Sequence, residues 1–295
     1  MTRKILITGA AGLLGSRLVE RLAMTNQITA TYHVHPAGQS LEGVEYWQLD
    51  LADPLKVKEL FRGRQYDFVI NCAGASDVDR CESEQVYALN TNLEIVRNLL
   101  KRIIGMKTKL IHFSSDYVFN GMAGPYIELD TPDPLNFYGQ TKLMAERAIL
   151  ESQCDATIIR VCSLYSKDPN APDNILKKIT ATTNRREVYK AAEDVMSNPT
   201  DVGDLSTAIE ELLRLHRLPH LLHLAAPENL SRFQFGMKMA QAFNIDASLI
   251  ENISVSLLKL AAKRPRFGGL NSELAYKLIG RQLKTPSEVL SKAQR

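Results

Sequence analysis

A short apolar run followed by regularly spaced glycines opens the chain and limits the folds it can adopt. Residues 4–8 are mostly aliphatic or β-branched, which is typical of a buried strand. A GxxGxxG pattern follows, and leucines then recur at helical spacing. Between a strand and a helix, such glycines allow a tight turn and a close approach of backbone N–H groups to phosphates. We therefore predict that this loop binds a dinucleotide pyrophosphate through Gly9, Gly12, Leu13, Leu14 and Gly15.

The rest of the chain alternates between apolar runs and amphipathic segments. Further strands are predicted near residues 28–33, 46–49, 68–72, 110–113, 157–161 and 220–225, and long helices over 86–103 and 135–152. This alternation predicts an α/β fold with a doubly wound parallel (Rossmann) sheet and a smaller, interleaved C-terminal substrate lobe. We assign residues 1–162 and about 200–226 to the dinucleotide-binding domain, and residues 163–199 and 227–295 to the lobe.

Composition and charge narrow the functional classes. The net charge of +3 does not favour nucleic acid, and no apolar run approaches the ~20 residues of a membrane span. The four cysteines lack CxxC spacing, and no HExxH motif or His/Cys cluster suggests a metal. We expect a cytoplasmic protein with reduced thiols, no bound metal, and neither nucleic acid nor membrane as a partner.

The end of the second predicted strand bears on the choice of cofactor. NAD sites usually place an acidic residue there, about 20 residues after the glycines, to hold the ribose 2′-hydroxyl. Here the strand ends in TYHVH, and no Asp or Glu appears before Glu42. His33 or His35 is the candidate to contact a 2′-phosphate, and each is equally compatible with an ordinary surface histidine. We expect NADPH as cofactor, with NADH as the alternative.

Tyr138 and Lys142 are four residues apart in the predicted helix over 135–152, so they share one helical face. A tyrosine has an ordinary pKa of about 10, and a nearby ammonium lowers it. Such a pair suits protonation of the alkoxide that develops during carbonyl reduction. Ser114 and Ser115 lie where the fifth strand ends, at the ligand-binding edge of a doubly wound sheet.

Together, these motifs resemble the extended short-chain dehydrogenase/reductase family. GxxGxxG, NCAG, Asn90 in a helix, a serine after the fifth strand and YxxxK recur in the family's order. The chain is further similar to the dTDP-4-dehydrorhamnose reductase group in VDRCE, FSSDYVFNG, PYIELDTPDPLNFYGQTKLMAE, IIRVCSLYS, NPTDVGDLSTAI, HLAAPENLSRFQF and RPRFGGLN. This resemblance covers essentially the whole chain.

The resemblance implies a role for each matching position. Ser115, Tyr138 and Lys142 would be the catalytic set, with Tyr138 as the proton donor and Lys142 also on the cofactor ribose. For the rest of the cofactor it implies Asp50 and Leu51 along the adenine, Ala73, Gly74 and Ala75 along its middle, and Asn90 as a support of the site. For the sugar it implies Ser76, Val78, Ser115, Tyr117 and Tyr138.

Two departures from related enzymes affect the reaction and the substrate. Related sugar dehydratases carry adjacent Asp and Glu after the serine, whereas this chain has Asp116 and Tyr117, which favours simple reduction. Reductases of the group often have tryptophan at the position of Ser163, so the sugar contact differs. Arg264, with Lys263 and Arg266, is a candidate to hold the substrate diphosphate, and a solvated basic loop is the alternative.

The resemblance therefore implies an NAD(P)H-dependent reductase that acts on the C4 carbonyl of a nucleotide-linked 4-keto-6-deoxysugar, as in dTDP-L-rhamnose synthesis. Two other functions stay open: a non-catalytic NADP-binding regulatory subunit of the methionine adenosyltransferase beta type, and a nucleotide-sugar epimerase with tightly held cofactor. The expected partner is a nucleotide sugar, and the sequence leaves a homodimer open.

Overall fold

Seven parallel strands form the central sheet of the computed structural model, which describes residues 2–34, 41–172 and 174–291. The strand order is β11-β6-β5-β4-β1-β2-β3. Its strands are β1 (Lys4–Thr8), β2 (Gln27–Tyr32), β3 (Val44–Gln48), β4 (Phe68–Asn71), β5 (Lys109–Ser115), β6 (Ala156–Val161) and β11 (Leu221–His223). The order reverses beside β1, which is the topology of a doubly wound fold. The predicted fold class is confirmed.

Helices connect the strands and cover both faces of the sheet. They are α1 (Leu13–Leu22), α2 (Pro54–Leu60), α3 (Val78–Ser83), α4 (Gln85–Leu89), α5 (Ile95–Ile103), α6 (Phe137–Glu151), α7 (Ile175–Asn184), α8 (Val202–Leu213), α9 (Arg232–Phe243), α10 (Glu273–Ile279) and α11 (Pro286–Leu290). The short strands are β7 (Leu164–Tyr165), β8 (Tyr189–Ala192), β9 (Met196–Ser197), β10 (Thr200–Asp201), β12 (Leu230–Ser231) and β13 (Ile250–Ile253).

The alternation of side chains along β1 divides the core into two apolar layers. Ile7 packs into a cluster with Leu18 of α1 and Leu205 of α8 on one face of the sheet. Leu6 points to the opposite face, where α2, α5 and α6 supply the apolar side chains. Because both faces are covered, the strands are apolar throughout, as expected for a parallel sheet.

The helix predicted over 86–103 is interrupted. The structure ends α4 at Leu89, inserts a π-helical turn over Asn90–Glu94, and resumes with α5. A π turn adds a residue to the helical repeat and changes the phase of the apolar face. Val86, predicted on the buried face, is therefore 72% exposed. The predicted stop is confirmed, since α5 ends at Ile103 and Gly105 has φ +76°.

A third apolar cluster lies outside the sheet and joins α7, α9 and α11 to β8, with Leu176, Phe235 and Val289 among its buried members. It falls within the two segments assigned to the lobe. The segment around α10 differs from that assignment. Its residues Ala275 and Leu283 pack with α8 in the apolar cluster on one face of the sheet. The chain thus returns to the sheet after residue 272, and the domain division otherwise stays a prediction. Within the described ranges, no helix has the length and apolarity needed to cross a membrane.

Candidate active site

A cleft of about 1260 Å³ opens at the carboxyl ends of β1, β4, β5 and β6. Carboxyl ends of parallel strands meet at one edge of a sheet, so the loops that follow them face one another. The cleft runs from the glycine loop, past the ends of β4 and β5, to residues 163–177 and the start of α9. Its length and shape suit an extended ligand rather than a small metabolite.

The glycine loop lies at one end of this cleft and is packed too closely for side chains. Gly9 has φ +66°, and a Cβ there would lie 2.7 Å from the Ala73 backbone nitrogen. A Cβ on Gly15 would collide with the Gly9 carbonyl oxygen. Gly12 is the N-cap of α1 and supplies no side-chain cap. The first N–H groups of α1 therefore face the cleft with the positive end of the helix dipole, which suits a pyrophosphate.

Buried polar side chains support the loop from below. Thr8 donates to Asn71 Oδ1 at 2.6 Å and accepts from the Ala73 backbone N–H at 3.2 Å. The Asn71 amide lies 3.0 Å from Nδ1 of His112 on β5, and burial lowers the pKa of His112 well below its usual value. This network fixes the segment after β4 against the end of β1. Sequence patterns did not predict this network, because its members come from three separate strands.

Asn92 supports the segment after β4, and the supporting role predicted for Asn90 stays a prediction. Asn92 is buried, accepts from the Ala75 N–H at 2.8 Å, and donates to Thr141 Oγ1 on α6 at 3.0 Å. Asn90 is exposed at the start of the π turn. The extra residue of that turn brings Asn92 inward, so the difference follows from the interrupted helix.

Ser115, Tyr138 and Lys142 all line the middle of the cleft. Ser115 ends β5, accepts from the Tyr117 N–H at 3.2 Å and donates to Asp116 Oδ1 at 3.1 Å. The predicted helix carries the other two, and Asn136 caps it by accepting from the Gly139 N–H at 2.9 Å.

The ionisation of the site is set mainly by burial. Burial raises the pKa of Tyr138 well above its ordinary value, and a hydrogen bond from Ser115 acts in the opposite direction. Burial also lowers the pKa of Lys142 to about 8, against the attraction of Glu146. Lys142 donates to the Phe113 carbonyl at 2.6 Å. Desolvation outweighs the Ser115 contact, so the net pKa of Tyr138 is raised, and the predicted lowering by Lys142 stays a prediction. The phenol is held protonated, as an acid requires.

Two residues after Ser115 complete this part of the cleft. Asp116 is buried, burial raises its pKa, and its carboxyl accepts from the Cys162 thiol at 2.9 Å. The Tyr117 ring meets the Tyr138 ring edge-on, with centroids 5.6 Å apart. The Tyr138 phenol thus has an aromatic ring on one side and the buried Asp116 carboxyl nearby.

Most of the residues predicted for cofactor and sugar come together in this cleft. Its lining includes Gly12, Leu13, Leu14, Ala73, Gly74, Ala75, Ser76, Val78, Ser115, Tyr117, Tyr138 and Lys142. Gly9 and Gly15 lie behind the loop, where they permit its packing. The roles of these residues stay predictions.

The predicted adenine and ribose residues are placed differently. Asp50 closes a turn by accepting from the Ala52 N–H at 2.9 Å, and Leu51 is buried in the core. His33 is exposed at the end of β2, and His35 lies outside the described residues. Tyr46 of β3 lines this end of the cleft instead. Its position on an adjacent strand was not evident from spacing along the chain.

The predicted phosphate ligand Arg264 also lies elsewhere. It forms an ion pair with Asp79 at 2.6 Å and lines a separate groove of about 530 Å³ with apolar side chains such as Leu258 and Phe267. Asp79 holds it because the same carboxylate also accepts from the Ala262 N–H at 2.9 Å. Two arginines do line the main cleft: Arg17 of α1, at the glycine-loop end, and Arg232, the first residue of α9. Sequence reasoning missed Arg232 because the residue after a helix cap usually faces solvent.

No cluster of three or more His, Cys, Asp or Glu side chains suited to a metal occurs in the part of the chain that the structure describes. The cleft brings together a hydroxyl, a phenol and an ammonium beside the glycine loop. Fold and site together define a dinucleotide-binding protein of the extended short-chain dehydrogenase/reductase type.

Within that class, the chain belongs to the family described as "RmlD substrate binding domain", whose model matches residues 3–293. The predicted resemblance to the dTDP-4-dehydrorhamnose reductase group is confirmed. The chain is thus a dTDP-4-dehydrorhamnose reductase-like protein.

Similar proteins differ in their described activities. The chain is 31% identical to a probable low-salt glycan biosynthesis reductase, Agl14, of Haloferax volcanii, covering 88% of this chain and 87% of the relative. It is 29% identical to methionine adenosyltransferase 2 subunit beta of Rattus norvegicus, covering 90% and 79%. The crystal structure of dTDP-4-dehydrorhamnose reductase from Bacillus anthracis in complex with NADP has a TM-score of 0.84, 26% identity, and coverage of 99% and 98%.

Proposed function

We propose that this protein is an NAD(P)H-dependent reductase of the C4 carbonyl of a nucleotide-linked 4-keto-6-deoxysugar, with dTDP-4-dehydrorhamnose as the first candidate substrate and dTDP-L-rhamnose as the product. One observation carries the proposal. Ser115, Tyr138 and Lys142 line the same cleft as the glycine loop, so an acid and a dinucleotide site share one space.

The residues of the cleft fit a nicotinamide dinucleotide. The glycine loop offers a cradle that a Cβ would fill, and α1 presents free N–H groups to a pyrophosphate. Ala73, Gly74 and Ala75 would contact the middle of the cofactor, and Lys142 its ribose. When bound, the reduced cofactor would supply the hydride.

The chain's own groups would handle the proton. Tyr138 would donate its phenolic proton to the C4 oxygen as negative charge develops there, and the Ser115 hydroxyl would hydrogen-bond the same oxygen. Lys142, as a cation beside them, would stabilise the tyrosinate that remains. The carboxyl of Asp116 would not act as a base, since it is buried and bonded to Cys162 and Ser115.

The end of β2 supports NADPH as the preferred cofactor, with NADH as the alternative. In residues 31–34 there is no carboxylate to accept from a ribose 2′-hydroxyl, whereas His33 is exposed and available to a 2′-phosphate. The NADPH to NADH ratio of kcat/KM tests this preference directly.

The test of the proposed reaction is nicotinamide absorbance, followed with purified protein, NADPH or NADH, and dTDP-4-dehydro-6-deoxy-L-mannose. Cofactor oxidation that depends on the sugar, with a product that co-migrates with dTDP-L-rhamnose, supports the reductase. Cofactor that binds without being oxidised by this sugar or by its UDP counterpart would overturn it.

A second candidate is the regulatory-subunit function, favoured by the 29% identity to methionine adenosyltransferase 2 subunit beta and by Ser163 in place of the expected tryptophan. A regulator would bind NADP(H) without consuming it, and would change the activity of a methionine adenosyltransferase catalytic subunit mixed with it. The intact set of Ser115, Tyr138 and Lys142 favours the reductase.

A further inference from the structure

The far end of the cleft, beyond the catalytic residues, is polar where the related reductases often carry tryptophan. Ser163 occupies that position with φ +39°, a left-handed conformation that side-chain-bearing residues rarely adopt. Its hydroxyl is hydrogen-bonded to that of Ser197 on β9, which lies 3.1 Å from the Cys162 thiol. The Ser163 hydroxyl thus lies at the wall of the cleft, and the Ser197 hydroxyl lies behind it in an adjoining recess.

Arg232 completes this end of the cleft. It begins α9 directly after Ser231, whose side chain and Gln234 form a capping box. Its backbone N–H donates to the Val195 carbonyl at 3.2 Å, so its position is fixed from both sides. Arg232 lines both the main cleft and a recess of about 50 Å³ that contains Ser163 and Ser197.

The guanidinium of Arg232 lies in an environment with little compensating negative charge. Its nearest ionisable groups are Tyr117, Tyr189, Asp116 and Cys162, and the Tyr117 hydroxyl is its hydrogen-bond partner. None of the ion pairs formed within the described residues includes Arg232, whereas Arg160, Arg264 and Arg266 each have a carboxylate. Asp116 is already committed to Cys162 and Ser115.

Burial opposes the charge of this guanidinium, yet its neighbours raise its pKa on balance, so Arg232 stays a cation with which an anionic ligand can pair. Arginine suits that purpose because its planar fork matches the oxygens of a carboxylate or a phosphate. The neighbouring serines would add neutral donors on the same side.

We propose that Arg232, with Ser163 and Ser197, forms the subsite that binds an oxyanion of the substrate and so determines which nucleotide sugar this protein accepts. This inference rests on the proposed function, because it assumes that a nucleotide sugar enters the cleft. The oxyanion has two sources in such a molecule: the diphosphate, or a carboxylate on the sugar ring.

Calorimetric titration of the full chain saturated with NADP⁺ distinguishes these sources. The probes are dTDP against thymidine, and UDP-glucuronate against UDP-glucose. The variants are Arg232→Gln, which removes the charge, and Arg232→Lys, which keeps the charge without the fork. Arg214→Ala is the matched control, because that arginine is 67% exposed on α8 and outside the cleft. Circular dichroism checks that each variant is folded.

If Arg232 binds the diphosphate, Arg232→Gln should weaken dTDP binding by about tenfold to a hundredfold and leave thymidine unchanged. If it binds a sugar carboxylate, dTDP binding should be unchanged, and the preference for UDP-glucuronate over UDP-glucose should fall by a similar factor. Arg232→Lys should lie between wild type and Arg232→Gln in either case.

Two results would overturn the inference: a wild-type protein that binds none of the four probes, or an Arg232→Gln variant that matches Arg214→Ala with every probe. The reduction itself fails separately. Arg232-dependent binding without cofactor oxidation would keep this subsite and remove the proposed reaction. If Arg232→Gln changes neither the rate of cofactor oxidation nor the binding of any probe, the proposed reaction stands and this subsite is removed.

Discussion

Tyr138 is kept protonated by its surroundings, which is the state that a proton donor needs at the start of a reduction. Burial raises its pKa, and the Ser115 hydroxyl only partly opposes that effect. An acid of this kind gives up its proton only when a stronger base, such as a developing alkoxide, comes within hydrogen-bond distance. In the proposed reaction, the phenol would therefore keep its proton in solvent and give it up to a bound carbonyl as charge develops there.

Replacing Tyr138 with Phe should remove turnover and leave cofactor binding intact. The substitution deletes only the proton donor, and general acid catalysis contributes about 10²–10⁴-fold to rate. Steady-state kinetics and NADPH fluorescence titration measure the two effects. Tyr66→Phe is the control, because it removes a phenolic oxygen buried in the core cluster under α2. Near-normal turnover in Tyr138→Phe would refute the role of the phenol.

Lys142 should impose an upper pH limit on activity. Its pKa is lowered from 10.5 to about 8 by burial, so it loses its charge as the pH rises through that value. We expect kcat/KM for reduction to fall about tenfold per pH unit above this limit, with the Tyr138 group still protonated. Lys142→Arg stays charged, so any activity it retains should lack the limb near pH 8. An unchanged limb in Lys142→Arg would assign the titration to another group.

The contribution of Lys142 to the free energy of unfolding should instead rise with pH, from about pH 8 to pH 10.5. The folded pKa of Lys142 lies below the unfolded one, so the unfolded chain binds more protons between about pH 8 and pH 10.5. The contribution of this residue to stability is complete above pH 10.5 and is lost as the pH falls through 8. Activity that falls above pH 8 while the free energy of unfolding does not fall would therefore assign the loss to the charge of Lys142 and not to alkaline unfolding.

At the scale of elements, the close approach of α1 to the end of β1 makes the phosphate site. That approach depends on glycine at two positions, since side chains there would meet the backbone of the loop or of the segment after β4. The helix and the loop are thus one structural unit, and displacement of either removes the row of N–H groups.

Gly15→Ala should therefore weaken cofactor binding and destabilise the fold. Its Cβ would meet the Gly9 carbonyl, and relieving such overpacking costs about 1–3 kcal/mol. Gly236→Ala in α9 is the matched control, because its Cβ would make an ordinary contact with Ile250 at 3.5 Å. That change should be neutral or stabilising, since alanine favours helix over glycine by about 1 kcal/mol. Equal losses of thermal stability and NADPH affinity in both variants would contradict the packing argument.

Sequence periodicity predicted the seven strands of the central sheet and the helix that carries Tyr138, but not the six short strands or the π turn. The apolar residues in 86–103 fit the spacing of one continuous helix, so their pattern does not indicate the extra residue of the π turn. Only the packing of Asn92 between the Ala75 backbone and Thr141 distinguishes the two phases. The catalytic helix was predictable, because its cap and its Tyr138–Lys142 spacing are local properties.

At the scale of the whole molecule, local patterns did not indicate that Arg232 lines the cleft and Arg264 does not. Arg264 belongs to a basic run, which made it a candidate for phosphate, but Asp79 lies 185 positions earlier in the sequence and pairs with it. Arg232 has no such neighbourhood in sequence, yet the fold brings it to the cleft beside Tyr117. Pairings over such distances depend on the tertiary structure and not on composition.

A buried ion pair links the catalytic helix to the sheet. Glu146 of α6 accepts two hydrogen bonds from Arg160 of β6, at 2.9 and 2.6 Å, and both side chains are only 3% exposed. Arg160 also lies over the Phe119 ring at 5.0 Å and beside Nε2 of His223 on β11 at 3.3 Å. The position of Lys142, one turn before Glu146, therefore depends on contacts from three parts of the chain.

Glu146→Gln should destabilise the protein by about 3–5 kcal/mol, because it leaves the Arg160 guanidinium buried without a counter-charge. Glu84→Gln is the matched control, since its pair with Arg80 is 52% and 48% exposed and should contribute at most about 1 kcal/mol. Urea denaturation of both variants measures the difference. Because Glu146 also raises the pKa of Lys142, Glu146→Gln should move the alkaline limit of activity to lower pH. Equal stability of the two variants, with an unmoved limit, would show that the catalytic helix does not depend on this pair.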